Sequence, residues 1–233
     1  MNKFTNISLT INTLDLWFVR KSIAVALQGA IPSFRGNFLD VGCGKMPYKS
    51  LILENQQITN YIGLDIETAR DYGDGVKPDI FWTSEGKIPI AAESVQSAMA
   101  TEVLEHCPDP QAVVNEVYRV LDKNAIFFLT VPFLWNLHEV PYDEHRYTPF
   151  ALQRILQNAG FQEIVIKAHG GWNASLALMI ALWCRRYWKN NLIKFAFSVT
   201  LFPLIWLLFK CDKAPETFRE GEMITGLYAM AKK

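Results

Sequence analysis

The sequence predicts an α/β fold: a doubly wound, mostly parallel, Rossmann-like sheet of seven strands, with helices on both faces and an apolar helical hairpin inserted before the last strand. Three observations predict it. Short apolar runs alternate with helical patterns in units of about 25–40 residues, the rhythm of strand–helix–strand repeats. The run Phe38-Leu39-Asp40-Val41 breaks into Gly42-Cys43-Gly44, a strand feeding a glycine turn as at the start of a nucleotide-type site. A second strand-like run, Tyr61 to Asp65, also ends in an acid.

The elements follow in order. Apolar residues at helical spacing (Leu14, Leu16, Trp17, Ile23, Ala24, Leu27) predict a helix over 13–29, stopped by Gly29 and Pro32. The glycine-turn strand occupies 37–41. A helix over 47–55 tolerates Pro47 in its first turn. Strands are expected at 61–65, 80–82 and 95–100, then a helix at 110–121 with Val113, Val114, Val117 and Leu121 on one face. Ala125 to Val131 reads as the fifth strand. The helix at 149–159 is closed by Gly160, a common residue just past a helix end. Strands at 161–167 and 224–231 complete the sheet. The chain thus divides into an N-terminal helical segment (1–36), a cofactor-binding core (37–173), the inserted hairpin (174–210) and the final strand of the core (211–233).

Within the hairpin, 174–187 and 192–209 are apolar and the linker Trp188-Lys189-Asn190-Asn191 is polar. The second segment as a helix spans about 27 Å, short of a hydrocarbon core of about 30 Å. Pro203 is expected to kink it. Trp183, Tyr187, Trp188 and Trp206 stand beside Arg185, Arg186, Lys189 and Lys210, a mixture common at membrane interfaces. Three readings stay open: a helical cap packed on the sheet or a second subunit, interfacial membrane contact, and a true span.

Composition narrows the function. With 23 basic and 23 acidic side chains the net charge is zero, so no general attraction to nucleic acid is expected. Cys43, Cys107, Cys184 and Cys211 are scattered without a CxxC pair, which argues against a disulfide framework or a metal site and favours a reducing cytoplasm. Met1 to Asn12 is polar and lacks the apolar stretch of a signal peptide.

Gly42 and Gly44 let the backbone come close to a ligand because neither carries a Cβ. A dinucleotide site wants G-x-G-x-x-G, and Pro47 stands at the third position. A nicotinamide oxidoreductase is therefore disfavoured. The remaining D-x-G-x-G pattern resembles the first motif of the class I S-adenosylmethionine-dependent methyltransferases. The likeness continues through Asp65, Lys87-Ile88-Pro89-Ile90, Thr101-Glu102-Val103-Leu104-Glu105-His106, Glu116-Val117-Tyr118-Arg119-Val120-Leu121 and Ala159-Gly160-Phe161, in order over residues 35–165. It departs at Met46, where a further glycine is usual, and at Asp122-Lys123-Asn124-Ala125, where the family has a KPGG turn. The resemblance implies S-adenosyl-L-methionine as cofactor. Gly42 and Gly44 would pass under it, Asp40 would hold the glycine loop and the methionine amino end, and Asp65 would accept both ribose hydroxyls. Ser84 and Glu85 would lie near the adenine, and Glu102 would form a pocket wall. Glu105 and His106 are read as stabilising their own loop.

The acceptor end is expected in 132–148, beyond the fifth strand. His138, Pro141, Asp143, Arg146 and Thr148 form an H-x-x-P-x-D-x-x-R-x-T pattern that looks like a bacterial subgroup of type-11-like methyltransferases. His138 and His145 are the candidate general bases, since imidazole titrates near neutral pH. Asp143 and Arg146 read as an ion pair ordering the loop, and Thr148 as the cap of the following helix. The expected activity is methyl transfer to a small-molecule, glycan or lipid-linked acceptor. The alternative is a catalytically inactive cofactor-binding regulator or scaffold. Peripheral contact with the inner face of the membrane through 174–210, and self-association, complete the expectations.

Overall fold

The computed structural model describes residues 4–66, 76–83 and 86–233. Its elements are α1 (Leu14–Ala30), β1 (Gly36–Val41), α2 (Lys49–Leu53), β2 (Ile58–Ile66), β3 (Ile80–Trp82), β4 (Val95–Thr101), α3 (Pro110–Val120), β5 (Leu121–Pro132), α4 (Pro149–Ala159), β6 (Gln162–Ala168), α5 (Trp172–Leu182), α6 (Asn191–Lys210) and β7 (Gly226–Lys232). One seven-stranded sheet has the order β3-β2-β1-β4-β5-β7-β6. All pairs are parallel except those of β7, which runs antiparallel to β5 and β6. Strand order reverses between β1 and β4, and open sheets of this kind bind ligands at that switch point.

The sheet is covered on both faces because its central strands are apolar on both. Leu39, Val41, Ala98, Ala100, Phe127 and Leu129 pack with Val113, Val114 and Val117 of α3 and Leu152 and Leu156 of α4. The alternate residues Phe38, Met99 and Phe128 pack with Ile23 and Leu27 of α1 and Ile52 of α2. This period of two is the pleat of the strand. Phe128 is fully buried, and truncating such a residue to Ala costs about 3–5 kcal/mol.

Two elements depart from the sequence reading. Only Lys49–Leu53 of the expected 47–55 helix forms. Met46 sits at φ 50°, in the left-handed region, so the chain is still turning when it reaches Pro47. Strand β5 starts at Leu121, and its pairing with β4 shifts register between Val95 and Ser97. The altered turn Asp122–Ala125 is absorbed there, with Asn124 at φ 60°, a conformation asparagine tolerates.

The hairpin forms where expected. Helix α5 runs into a π turn over Trp183–Tyr187, and Asn190 caps α6 by accepting from the Leu192 and Ile193 N–H groups. Pro203 lies inside α6. Ala174, Ala177 and Ala181 of α5 share one face, which lets α5 pack closely with Leu14 of α1 and with Ile205 and Phe209 of α6. Phe18 stacks on Phe209 with ring centroids 4.8 Å apart. Arg186 donates to Asp15 at 2.7 Å. The Asp212 carboxylate accepts from the Ala174 N–H at 2.8 Å and the Gly171 N–H at 3.0 Å, so the end of the hairpin satisfies the orphan donors at its beginning. The outer face of α6 stays open: Leu192, Phe195, Val199, Leu204, Trp206 and Leu207 are all exposed.

Candidate active site

A cavity of about 570 Å³ lies outside the carboxyl ends of β1, β2, β4 and β5, within the range of small-molecule sites. Gly42, Gly44, Asp65, Glu102 and His138 all line it. One side is made by strand ends. Gly42 and Gly44 have φ of 64° and 48°, conformations that side chains disfavour. A Cβ on Gly42 would stand 2.5 Å from Val103 Cγ2. Asp65 closes the turn from the next strand: Oδ2 accepts the Gly44 N–H at 2.7 Å and Oδ1 the Ile66 N–H at 2.8 Å. Each carboxylate oxygen keeps a further lone pair for a ligand hydroxyl. Burial raises the Asp65 carboxyl above its ordinary range, opposed by these two hydrogen bonds.

Asp40 is buried beneath the turn, and the Tyr61 hydroxyl donates to its Oδ2. Burial pushes its carboxyl up to about 7, and the Tyr61 hydrogen bond works in the other direction. Glu102 follows β4 at φ 55°, a left-handed conformation costing a non-glycine residue on the order of 1 kcal/mol. Its Oε1 accepts from the Thr130 hydroxyl at 2.8 Å. Burial raises this carboxyl, with Thr130 and the charge of Arg146 opposing. Ser84 and Glu85 lie outside the described residues.

The other side is made by side chains. His138 Nδ1 lies 3.1 Å from Asp143 Oδ2, and the His138 backbone N–H donates to the same oxygen at 3.2 Å. Arg146 grips Asp143 with two N–H groups at 2.6 and 2.8 Å and holds its carboxyl well below the usual carboxylate range. Asp143 is thus an anion that fixes the ring through Nδ1–H and leaves Nε2 as the acceptor. Burial lowers the basicity of His138, partly offset by Asp143. The ring of His145 instead lies 5.8 Å from that of Tyr147, and its Nε2 is buried without a hydrogen-bond partner among the described residues. Thr148 caps α4, its hydroxyl accepting from the Ala151 N–H at 3.2 Å.

Sequence reasoning missed three contributors. Helix α1 lays Leu16, Val19, Arg20 and Ile23 along the cavity; the i, i+3, i+7 spacing of the three apolar residues was the available signal. Tyr48 adds a buried phenol, held above its ordinary range by burial. His169, just after β6, and Thr225, just before β7, line the cavity, and His169 Nε2 and Thr225 Oγ1 are both buried with no hydrogen-bond partner among the described residues. Burial holds His169 down to about 4, so it is a neutral imidazole.

The fold recurs in solved proteins. A S-adenosylmethionine-dependent methyltransferase from Archaeoglobus fulgidus superposes with TM-score 0.55 at 19% identity, covering 91% of this chain and 93% of that one. One from Mesorhizobium loti gives 0.55 at 14% identity, covering 94% and 100%. Phosphoethanolamine N-methyltransferase 2 of Haemonchus contortus, solved with S-adenosyl-L-methionine, gives 0.54 at 12% identity, covering 97% and 60%. At these identities the likeness is one of fold. No curated protein matches the chain. Residues 19–165, more than half of the chain, match a family described as a methyltransferase domain, and the chain belongs to that family.

Proposed function

We propose that the protein transfers a methyl group from S-adenosyl-L-methionine to an oxygen-bearing small-molecule or lipid-linked acceptor. The observation that carries this reading is that a backbone-built half-site and a side-chain-built half-site open into one cavity. The residues present suit the cofactor. Gly42 and Gly44 leave room against the backbone, and Asp65 has lone pairs to spare for ribose hydroxyls. Bound there, the cofactor would supply an electrophilic methyl group on a sulfonium leaving group. Asp40 supports the glycine turn from below, Glu102 walls the pocket, and Ser84 and Glu85 are assigned to the adenine end. His138, oriented by Asp143, is assigned the acceptor's proton through Nε2; His145 does not line the cavity and is left out of this role. Much of the chain's contribution is alignment of the reacting groups.

The acceptor's apolar part is assigned to the hairpin side. Helix α6 is long and apolar enough to cross a membrane by length and composition, yet only 17% of its apolar window is buried. Lys189 and Lys194 stand near the start of α6 and Lys210 at its end. We assign the exposed face of α6 to peripheral contact with the inner surface of the membrane. Flotation with vesicles of phosphatidylglycerol and phosphatidylcholine tests this: the wild type should float and Leu192→Glu/Phe195→Glu should not.

Calorimetry tests the cofactor. S-adenosylhomocysteine should bind and NAD should not; the reverse sinks the reading. Turnover against a panel of hydroxylated acceptors then separates an enzyme from an inactive binding protein.

A further inference from the structure

His106 and His138 line the cavity, and behind them stands Glu105, a buried acid for which methyl transfer gives no role. Glu105 is fully buried, and neither carboxylate oxygen has a hydrogen-bond partner among the described residues. An unpaired buried carboxylate is among the costliest groups a fold can hold. The nearby cation does not answer it: Arg146 directs its N–H groups to Asp143 and to the His145 carbonyl.

What faces Glu105 is an imidazole too far away to hydrogen-bond to it. His106 Nδ1 lies 3.0 Å from the Tyr142 carbonyl oxygen. A carbonyl only accepts, so Nδ1 carries a proton and Nε2 is the ring nitrogen free to meet a metal ion. That Nε2 is 3.8 Å from Glu105 Oε1, too far for a hydrogen bond. The ring of His138 meets that of His106 edge to face at 4.7 Å. Its Nδ1–H is taken by Asp143, so its Nε2 is likewise the free ring nitrogen. Ligand atoms from the three residues lie within 4.8 Å of one another.

We propose that Glu105, His106 and His138 bind a divalent transition-metal ion of the zinc, iron or cobalt class. Two imidazoles and one carboxylate are the donor set such ions take, with positions left open for water or substrate. The outer contacts match as well. Metal-ligating histidines hand their other N–H to a carboxylate or carbonyl, as His138 does to Asp143 and His106 to Tyr142. Zinc–nitrogen bonds of about 2.1 Å place tetrahedral ligands about 3.4 Å apart, so binding draws the three side chains together. The ion would satisfy the buried carboxylate and take His138 Nε2. In the loaded protein His138 is then a ligand, and the ion replaces it in facing an acceptor oxygen. This last step rests on the methyl-transfer reading; the ion site does not.

The test uses the full-length protein stripped with a chelator and dialysed. Calorimetric titration with zinc chloride should show one ion per chain. Cobalt chloride should give visible bands of nitrogen and oxygen ligation without a thiolate charge-transfer band. Glu105→Gln, which keeps the shape of the side chain, and His106→Ala should each weaken zinc binding at least 100-fold, with thermal melts confirming that both are folded. Absence of binding to the folded wild type, unchanged affinity in both folded variants, or a thiolate band would each overturn the proposal. The zinc titration needs no nucleoside, so its result stands apart from that with S-adenosylhomocysteine.

Discussion

The two halves of the cavity are built differently. On the side assigned above to the cofactor, the groups are backbone, or carboxylates one residue from a strand end: Gly42 and Gly44 after β1, Asp65 near the end of β2, Glu102 after β4. A parallel sheet places these ends side by side whatever the loops do. On the side assigned above to the acceptor, Arg20, His138, His169 and Thr225 come from a helix, a loop and two strand ends far apart in the chain, and all four line the same cavity. There the geometry depends on packing between elements and on the Asp143–Arg146 pair that sets the loop. A site built on strand termini leaves its pattern in the sequence. A site assembled from side chains of separate elements leaves only residue types.

The largest expected effect falls on the backbone-built half. Gly42→Val puts a branched side chain at φ 64° with its Cβ 2.5 Å from Val103 Cγ2. Calorimetry should show no measurable binding of S-adenosylhomocysteine. Adding Val103→Ala should return part of the affinity, because the obstruction is steric. Full binding by the single variant would break the contrast between the halves.

Next comes the side-chain half. In the metal-free protein, His138→Ala should lower turnover by about 10²–10⁴-fold, the range for loss of a general base, with S-adenosylhomocysteine affinity within about twofold of wild type. Equal losses in binding and turnover would show that the two halves are one unit.

How much of this was legible follows from the same contrast. The glycine turn, Asp65, the succession of strands and helices along the chain and the hairpin all rest on local patterns, and the structure forms them close to where those patterns stand. The short α2 was missed because Met46 adopts a left-handed turn, which no apolar periodicity reports. Arg20 was invisible as a cavity residue because a cation on an amphipathic helix reads as a solvated face. His169 and Thr225 carry no motif; only the antiparallel insertion of β7 beside β5 and β6 brings them to the cavity. The histidines of the 132–148 loop were legible as a pair but not separable, since which one turns inward is decided by Asp143.

A subtler contrast concerns charge. Asp40, under the cofactor half, is buried with its carboxyl pushed up to about 7, against an unfolded value of about 3.9. The folded state therefore holds this proton more tightly than the unfolded one. Below about pH 4 both states are protonated and Asp40 costs nothing. As pH rises from about 4 to about 7 the unfolded chain ionises first, and stability falls. Asp40→Asn should remove this slope, seen as urea midpoints that converge toward wild type at pH 4 and exceed it at pH 8. A wild type that gains stability over this interval relative to the variant would show that Asp40 is ionised in the fold.

The smallest effect isolates loop order from chemistry. Thr148 stands at the junction of the acceptor loop and α4, where its hydroxyl accepts the Ala151 N–H at 3.2 Å and Pro149 occupies the first helical turn. Thr148→Ala loses a helix cap worth about 1 kcal/mol, which in a chain of this size lowers the melting temperature by about 2–4 °C. Thr148 does not line the cavity, whereas His138, ten residues earlier, does. Turnover and cofactor affinity should therefore stay at wild-type levels while the melt shifts. A loss of turnover beyond a few-fold at unchanged affinity would mean that the cap, and not only the Asp143–Arg146 pair, holds His138 in place, and that the acceptor half is anchored through α4.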